Sequence, residues 1–253
     1  MFILRRLILW LLPIWWIVGL ELIKKNSAYF WPTIILLGLY VFTACFVVCK
    51  GRLNKIFFNF LILPLFFGAA SFVFLIFLVS PTAFHALTVV SAAALYFLLK
   101  QYFTYFYFPS KYQPYSLESL SFYLNLLLFY FLFASAFAGL TLLKLDRFIS
   151  LLVILPIIGL VLYQFFWIHK VDWSAGWLFI AVITLVLLEL LLALSYLPTG
   201  YFVNAFILTL GAYLMLGISR AFVQNVLNKR TVINYVTVAA CLAFIVMITA
   251  KWS

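Results

Sequence analysis

Nine stretches of roughly twenty apolar residues follow one another through this chain, separated only by short polar breaks. A helix needs roughly twenty such residues to cross a hydrocarbon core about 30 Å thick. Inside hydrocarbon every backbone N–H and C=O must be paired within the structure, which leaves helices and closed barrels. The runs here are continuous and lack the period-two alternation of barrel strands, so helices are expected. The spans fall near residues 3–23, 31–49, 56–79, 83–106, 117–143, 149–168, 176–197, 200–223 and 232–250. The expected fold is all-α: a polytopic transmembrane helix bundle of about nine spans. It forms one integral membrane domain over residues 1–253, with no soluble domain.

Composition supports the same solvent. Hydrophobic residues make up 69% of the chain and charged residues 8%, against roughly a quarter charged in soluble domains. The 30 Phe and 15 Tyr suit lipid-facing packing and interfacial belts. A net charge of +11 does not indicate nucleic acid, because Lys and Arg lie in short clusters between spans rather than on one patch. Such clusters are topology signals.

With the N-terminus in the cytoplasm, eleven of the 16 basic residues fall inside, led by Arg5, Arg6 and the loop Lys50–Lys55. Five fall outside: Lys24, Lys25, Lys144, Arg147 and Lys251. The positive-inside rule then places the N-terminus in the cytoplasm and the C-terminus outside. Lys24 and Lys25 dissent, partly offset by Glu21, which is spaced to pair with Lys25. The first apolar run continues to about Ile23, longer than the roughly 7–15 residues of a cleavable signal, and reads as a retained span. The expected location is a bacterial-style inner (cytoplasmic) membrane, multi-pass. The lipid bilayer is the first partner, with another membrane protein or a second copy as the further candidates.

Three spans open near Pro-Thr pairs (Pro32-Thr33, Pro81-Thr82, Pro198-Thr199), as helix N-termini tolerate proline. Pro13, Pro64 and Pro156 lie within spans and are expected to kink them. Small-residue clusters at Gly68–Ser71, Ser91–Ala94, Ala134–Gly139 and Ala239–Ala243 mark spans three, four, five and nine as interior packers. Ser116 is expected to cap the fifth span, with Glu118 in its first turn.

The seventh span carries a single carboxylate, Glu189, twelve residues past Trp177. That is roughly 18 Å along the helix. An ionisable group at such depth is a functional-site candidate by default, since an ionised carboxylate there needs a partner, a water-filled cavity or a bound proton. Other positions on its face, Val182, Leu185, Val186 and Ala193, are apolar, so a partner must come from another helix. Lys100 is the first candidate, in a stripe with Tyr96 and Thr104. The expected backbone offset from Glu189 is roughly 10–15 Å. Arg220, with Thr209, Tyr213 and Gly217 on its face, is the second. Both can also snorkel to the interface. Asn125, following Glu118 and Ser121 on one face, either continues a polar path or makes interhelical hydrogen bonds.

Catalytic signatures are missing. No H-E-x-x-H or G-x-S-x-G occurs, and neither a metal site nor a cofactor is expected. Cys45, Cys49 and Cys241 read as small hydrophobes. His85 and His169 fall on opposite sides of the membrane in the expected threading. Three functions stay open: a permease for a small solute or ion with Glu189, Lys100, Arg220, Tyr96 and Asn125 along its path; a non-catalytic subunit or scaffold; and an intramembrane enzyme acting on a lipid.

Overall fold

Each long apolar run becomes one helix, because a helix satisfies its own backbone and leaves only its ends to be capped. The computed structural model describes residues 2–171 and 173–250, excepting the side chains of residues 2–5, 27 and 175. Asp172, Lys251 and the side chain of Arg5 therefore lie outside the described residues. Among those described there are nine membrane-length helices and no strand. They are α1 (Phe2–Lys25), α2 (Phe30–Val48), α3 (Lys55–Ile76), α4 (Pro81–Tyr107), α5 (Ser116–Leu142), α6 (Arg147–Ile168), α7 (Trp173–Leu194), α8 (Tyr201–Val223) and α9 (Lys229–Thr249). The chain is a multi-pass membrane protein by the length and apolarity of these helices.

Local chemistry sets the ends. The side chains of Asn54, Ser80, Asp146 and Asn228 accept hydrogen bonds from backbone N–H groups three residues on, capping α3, α4, α6 and α9. Lys50, Lys170 and Asn225 take left-handed backbone angles after α2, α6 and α8. The N–H groups of Gly51, Val171 and Val226 then bond back to Phe46, Phe166 and Ala221 carbonyls, closing the helices as Schellman turns. Two of these turn residues are lysines, which also complement the negative end of the helix dipole.

Several boundaries differ from expectation. The seventh helix ends at Leu194 rather than near 197, because Pro198 disfavours helical geometry before it and Ser195–Leu197 turn instead. Only Pro81 of the three Pro-Thr prolines opens a helix; Pro32 lies inside α2 and Pro198 precedes α8 in a turn. Ser116 is the first residue of α5 rather than its cap, and its hydroxyl donates to Gln101 Oε1 (3.4 Å). Pro13, Pro64 and Pro156 do lie inside α1, α3 and α6.

The helices divide into two compact units, Met1–Leu124 and Asn125–Ser253, with the boundary inside α5. In the first unit α1 packs on α2 and α4, and α3 on α2 and α4. Gly68 of α3 permits this, since a Cβ there would stand 2.8 Å from Cη2 of Trp16. The Trp16 indole N–H in turn donates to Ser91 Oγ of α4 (3.0 Å). The small residues of spans three and four thus serve close packing, as expected.

In the second unit α6 packs on α7, α7 on α8 and α8 on α9. The α5 segment contributes the stacked Phe129 and Phe133 and an edge contact from Tyr130 to Phe206 of α8. The ninth span departs from expectation. Its small cluster does not place it inside; Ala239 is its one buried residue among those described. Small size allows close approach but supplies no apolar area to drive it, and in hydrocarbon lipid competes equally well.

Candidate functional site

Glu189 lies five residues before the end of α7 at Leu194, roughly 7–8 Å along the axis. Its side chain is exposed on the surface of the second unit. It makes no hydrogen bond or ion pair among the described residues. Exposure follows from the α7 sequence. Ile183, Leu187 and Leu191 are the buried positions of this stretch, one helical stripe at i, i+4, i+8. Glu189 falls away from that stripe, beside exposed Leu185 and Leu192.

The carboxylate opens into a groove of about 1010 Å³ between α6 and α7. Leu155, Leu160, Leu185, Leu188 and Leu192 form its ridges, Gly159, Ala181 and Thr184 its low points, and Tyr163 and Trp173 line it as well. Those two rings meet edge to face at 5.5 Å. A Cβ added to Gly159 would meet nothing within 4 Å, so this part of the floor is open. Pro156 also lines the groove. It has no N–H, so the Leu152 carbonyl one turn earlier lacks its helical donor. Leu152 lies sixteen residues before Ile168 at the end of α6, and Glu189 sixteen after Trp173 at the start of α7. Across an antiparallel hairpin the two are level. The groove therefore holds one carboxylate, with the unpaired backbone acceptor level with it on α6, and the Thr184 hydroxyl, buried without a partner among the described residues, also lines it.

The other site residues take different places. Lys100 belongs to the first unit and Glu189 to the second. Lys100 is exposed, with Nζ 5.9 Å from the Tyr96 ring centre, and its carbonyl accepts from the Thr104 hydroxyl. The Tyr96–Lys100–Thr104 stripe is thus one helix face, and Tyr96 packs on Trp10 at 5.3 Å. Arg220 is half-buried in the last turn of α8, where a cation complements the helix dipole. The rest of its face receives α9: Tyr213 meets Tyr235 at 5.2 Å, and Gly217 lies beneath the same ring. Asn125 is fully buried, and its Nδ2 donates to Oε1 of the equally buried Gln164 (3.3 Å). That is an interhelical hydrogen bond between α5 and α6.

A second polar group was not apparent in the sequence. Glu21, at the end of α1, meets His85 in the first turns of α4: Nδ1 lies 2.5 Å from Oε1. Lys24 Nζ lies 3.0 Å from His85 Nε2. An ammonium can only donate, so Nε2 accepts and Nδ1 carries the proton given to Glu21. Glu21 thus pairs across helices with His85. The available signal was the threading itself, since the end of the first span and the start of the fourth lie on one side of the membrane. Among the described residues no group of three or more His, Cys, Asp or Glu could hold a metal ion.

Over residues 12–249 the chain matches the model of the DUF5656 family, described as proteins of unknown function, and it belongs to that family. Neither a curated protein nor a solved structure matches it.

Proposed function

We propose that this DUF5656 protein is a non-catalytic membrane subunit or scaffold that receives a second transmembrane helix laterally, in the groove between α6 and α7. Its site is the cytoplasmic membrane, with the N-terminus inside, on the strength of the distribution of Lys and Arg. One observation carries the reading: a carboxylate five residues inside α7, Glu189, faces outward in a largely apolar groove without a partner among the described residues. A polar group on a lipid-facing surface is costly, and such residues ordinarily face a bundle interior or a cavity. A partner helix in the groove would turn that surface into an interior.

The groove has a shape that suits a helix. Small residues, Gly159, Ala181 and Thr184, lie between ridges of leucine, and small residues are what let helix backbones approach in lipid. A permease path would instead draw on enclosed polar groups. Here Asn125 is bonded to Gln164 and Asn204 to Thr199, as in interhelical and capping contacts of a packed bundle.

The test is a photo-crosslinking residue at Leu185 in native membranes. Leu185 is exposed and lines the groove. The expected result is one discrete protein adduct that disappears when Ala181→Trp fills the floor. Adducts with lipid alone would refute the reading. Loss of solute flux in Glu189→Gln, with folding and insertion unchanged, would restore the permease.

A further inference from the structure

The groove says something about its occupant beyond shape. We propose that the helix received between α6 and α7 carries a lysine or arginine that pairs with Glu189; this rests on the reading of the groove as a helix-docking site. The one charged group of the groove is an acceptor. Glu189 offers two carboxylate oxygens, and the Leu152 carbonyl lost its helical donor to Pro156. An ammonium carries three donors and a guanidinium five, and neither accepts. A single basic side chain therefore satisfies the carboxylate and neutralises its charge. A hydroxyl or carboxamide would satisfy the hydrogen bonds and leave the charge uncompensated.

Depth favours a protein over a lipid headgroup. Glu189 lies one and a half turns inside the end of α7, and its side chain leans further toward the helix N-terminus. A lysine stem reaches such a position from a helix backbone lying along the groove. A second copy of this chain fits less well. Arg220 and Lys100 lie toward helix ends that alternating threading puts at the face opposite the end of α7. Among the described residues, the cations on the same face as that end, Lys24, Lys25, Lys144 and Arg147, sit at helix ends or in a loop rather than at the level of Glu189, with Lys24 on His85 and Arg147 over the Tyr196 ring.

The experiment uses the full-length chain in lipid vesicles and synthetic host helices of leucine and alanine. Each host carries lysine, norleucine or glutamate at the depth of Glu189, and binding is read by energy transfer. The lysine host is expected to bind about tenfold tighter than the norleucine host, the lower end for a close charge pair. Glu189→Gln should erase that preference while leaving norleucine binding unchanged, and Ala181→Trp should weaken both hosts. If the lysine and norleucine hosts bind equally and Ala181→Trp blocks both, the basic partner is wrong and the groove reading stands. If Ala181→Trp affects neither host, the groove reading fails and takes this proposal with it. A glutamate host binding as well as lysine, or displacement of the lysine host by excess unlabelled chain, would also overturn the proposal. The latter would identify a second copy as the occupant.

Discussion

Gly217 of α8 is where one methyl group should do the most damage. A Cβ built there stands 2.7 Å from Cδ1 and Cζ of Tyr235 and nearer still to Cε1. Real carbons do not approach so closely, so the ring or the helix must move. The ring has little freedom, because it also packs on Tyr213 at 5.2 Å. The α9 helix has little else to hold it, with Ala239 its one buried residue among those described. Overpacking of a well-fitted contact costs about 1–3 kcal/mol, which corresponds to about a five- to 150-fold loss in the equilibrium for docking α9. Gly217→Ala should therefore increase labelling of α9 by a lipid-soluble carbene on its α8-facing side, and lower the melting temperature in detergent. Tyr235→Ala should cost stability by itself by removing the ring contact. The double variant should cost less than the sum, because the three atoms nearest the new methyl all belong to the ring that the second substitution removes. Additive effects, or a Gly217→Ala protein indistinguishable from wild type, would refute the steric account.

Tyr102→Phe should stabilise the first unit: the side chain is fully buried and its hydroxyl has no hydrogen-bond partner among the described residues. Removing an unsatisfied buried polar group is worth about 1–3 kcal/mol, so a fall in melting temperature would contradict this. Glu21→Gln and His85→Ala should each cost under about 1 kcal/mol, as exposed pairs do, and together less than their sum; strict additivity would show that the pair does not couple α1 to α4. In the loop before α5, Tyr112 donates to Glu118 Oε2 (3.1 Å), and burial, aided by the Glu118 charge, holds its phenol above the ordinary value. That contribution is complete below about pH 10 and is lost as pH rises through the elevated folded value. The alkaline step in melting temperature should therefore vanish in Tyr112→Phe, and its persistence there would assign it to another group.

Much of this architecture was legible because the bilayer imposes it. Every apolar run had to become a helix, and the nine expected spans match nine helices to within a few residues. Prolines inside spans were local chemistry, whereas the turns at Lys50 and Lys170 emerged only in the structure. What the sequence did not contain was which face of each helix looks inward. In water an apolar stripe marks the buried side. In hydrocarbon both sides are apolar, and the α7 helix carries leucine at buried 187 and 191 and at exposed 185 and 192 alike. Glu189 was therefore singled out in the sequence with its direction open, and the small cluster of α9 suggested an interior that its exposure contradicts. The Glu21–His85 pair was hidden for another reason. Its partners lie 64 residues apart, and only the packing of α1 on α4 brings them together.

The central claim is that Glu189 looks out of the bundle into a groove open to the bilayer. Replacing it with cysteine, attaching a nitroxide, and measuring relaxation by oxygen and by a water-soluble nickel chelate in lipid vesicles tests this directly. The account predicts strong relaxation by oxygen and weak relaxation by the chelate, as for a lipid-facing site, with Leu185 and Leu192 behaving alike and Leu187 protected from both. Strong relaxation by the nickel chelate at position 189 would mean a water-filled path, and protection from both reagents would mean a buried site. Either result would contradict the account.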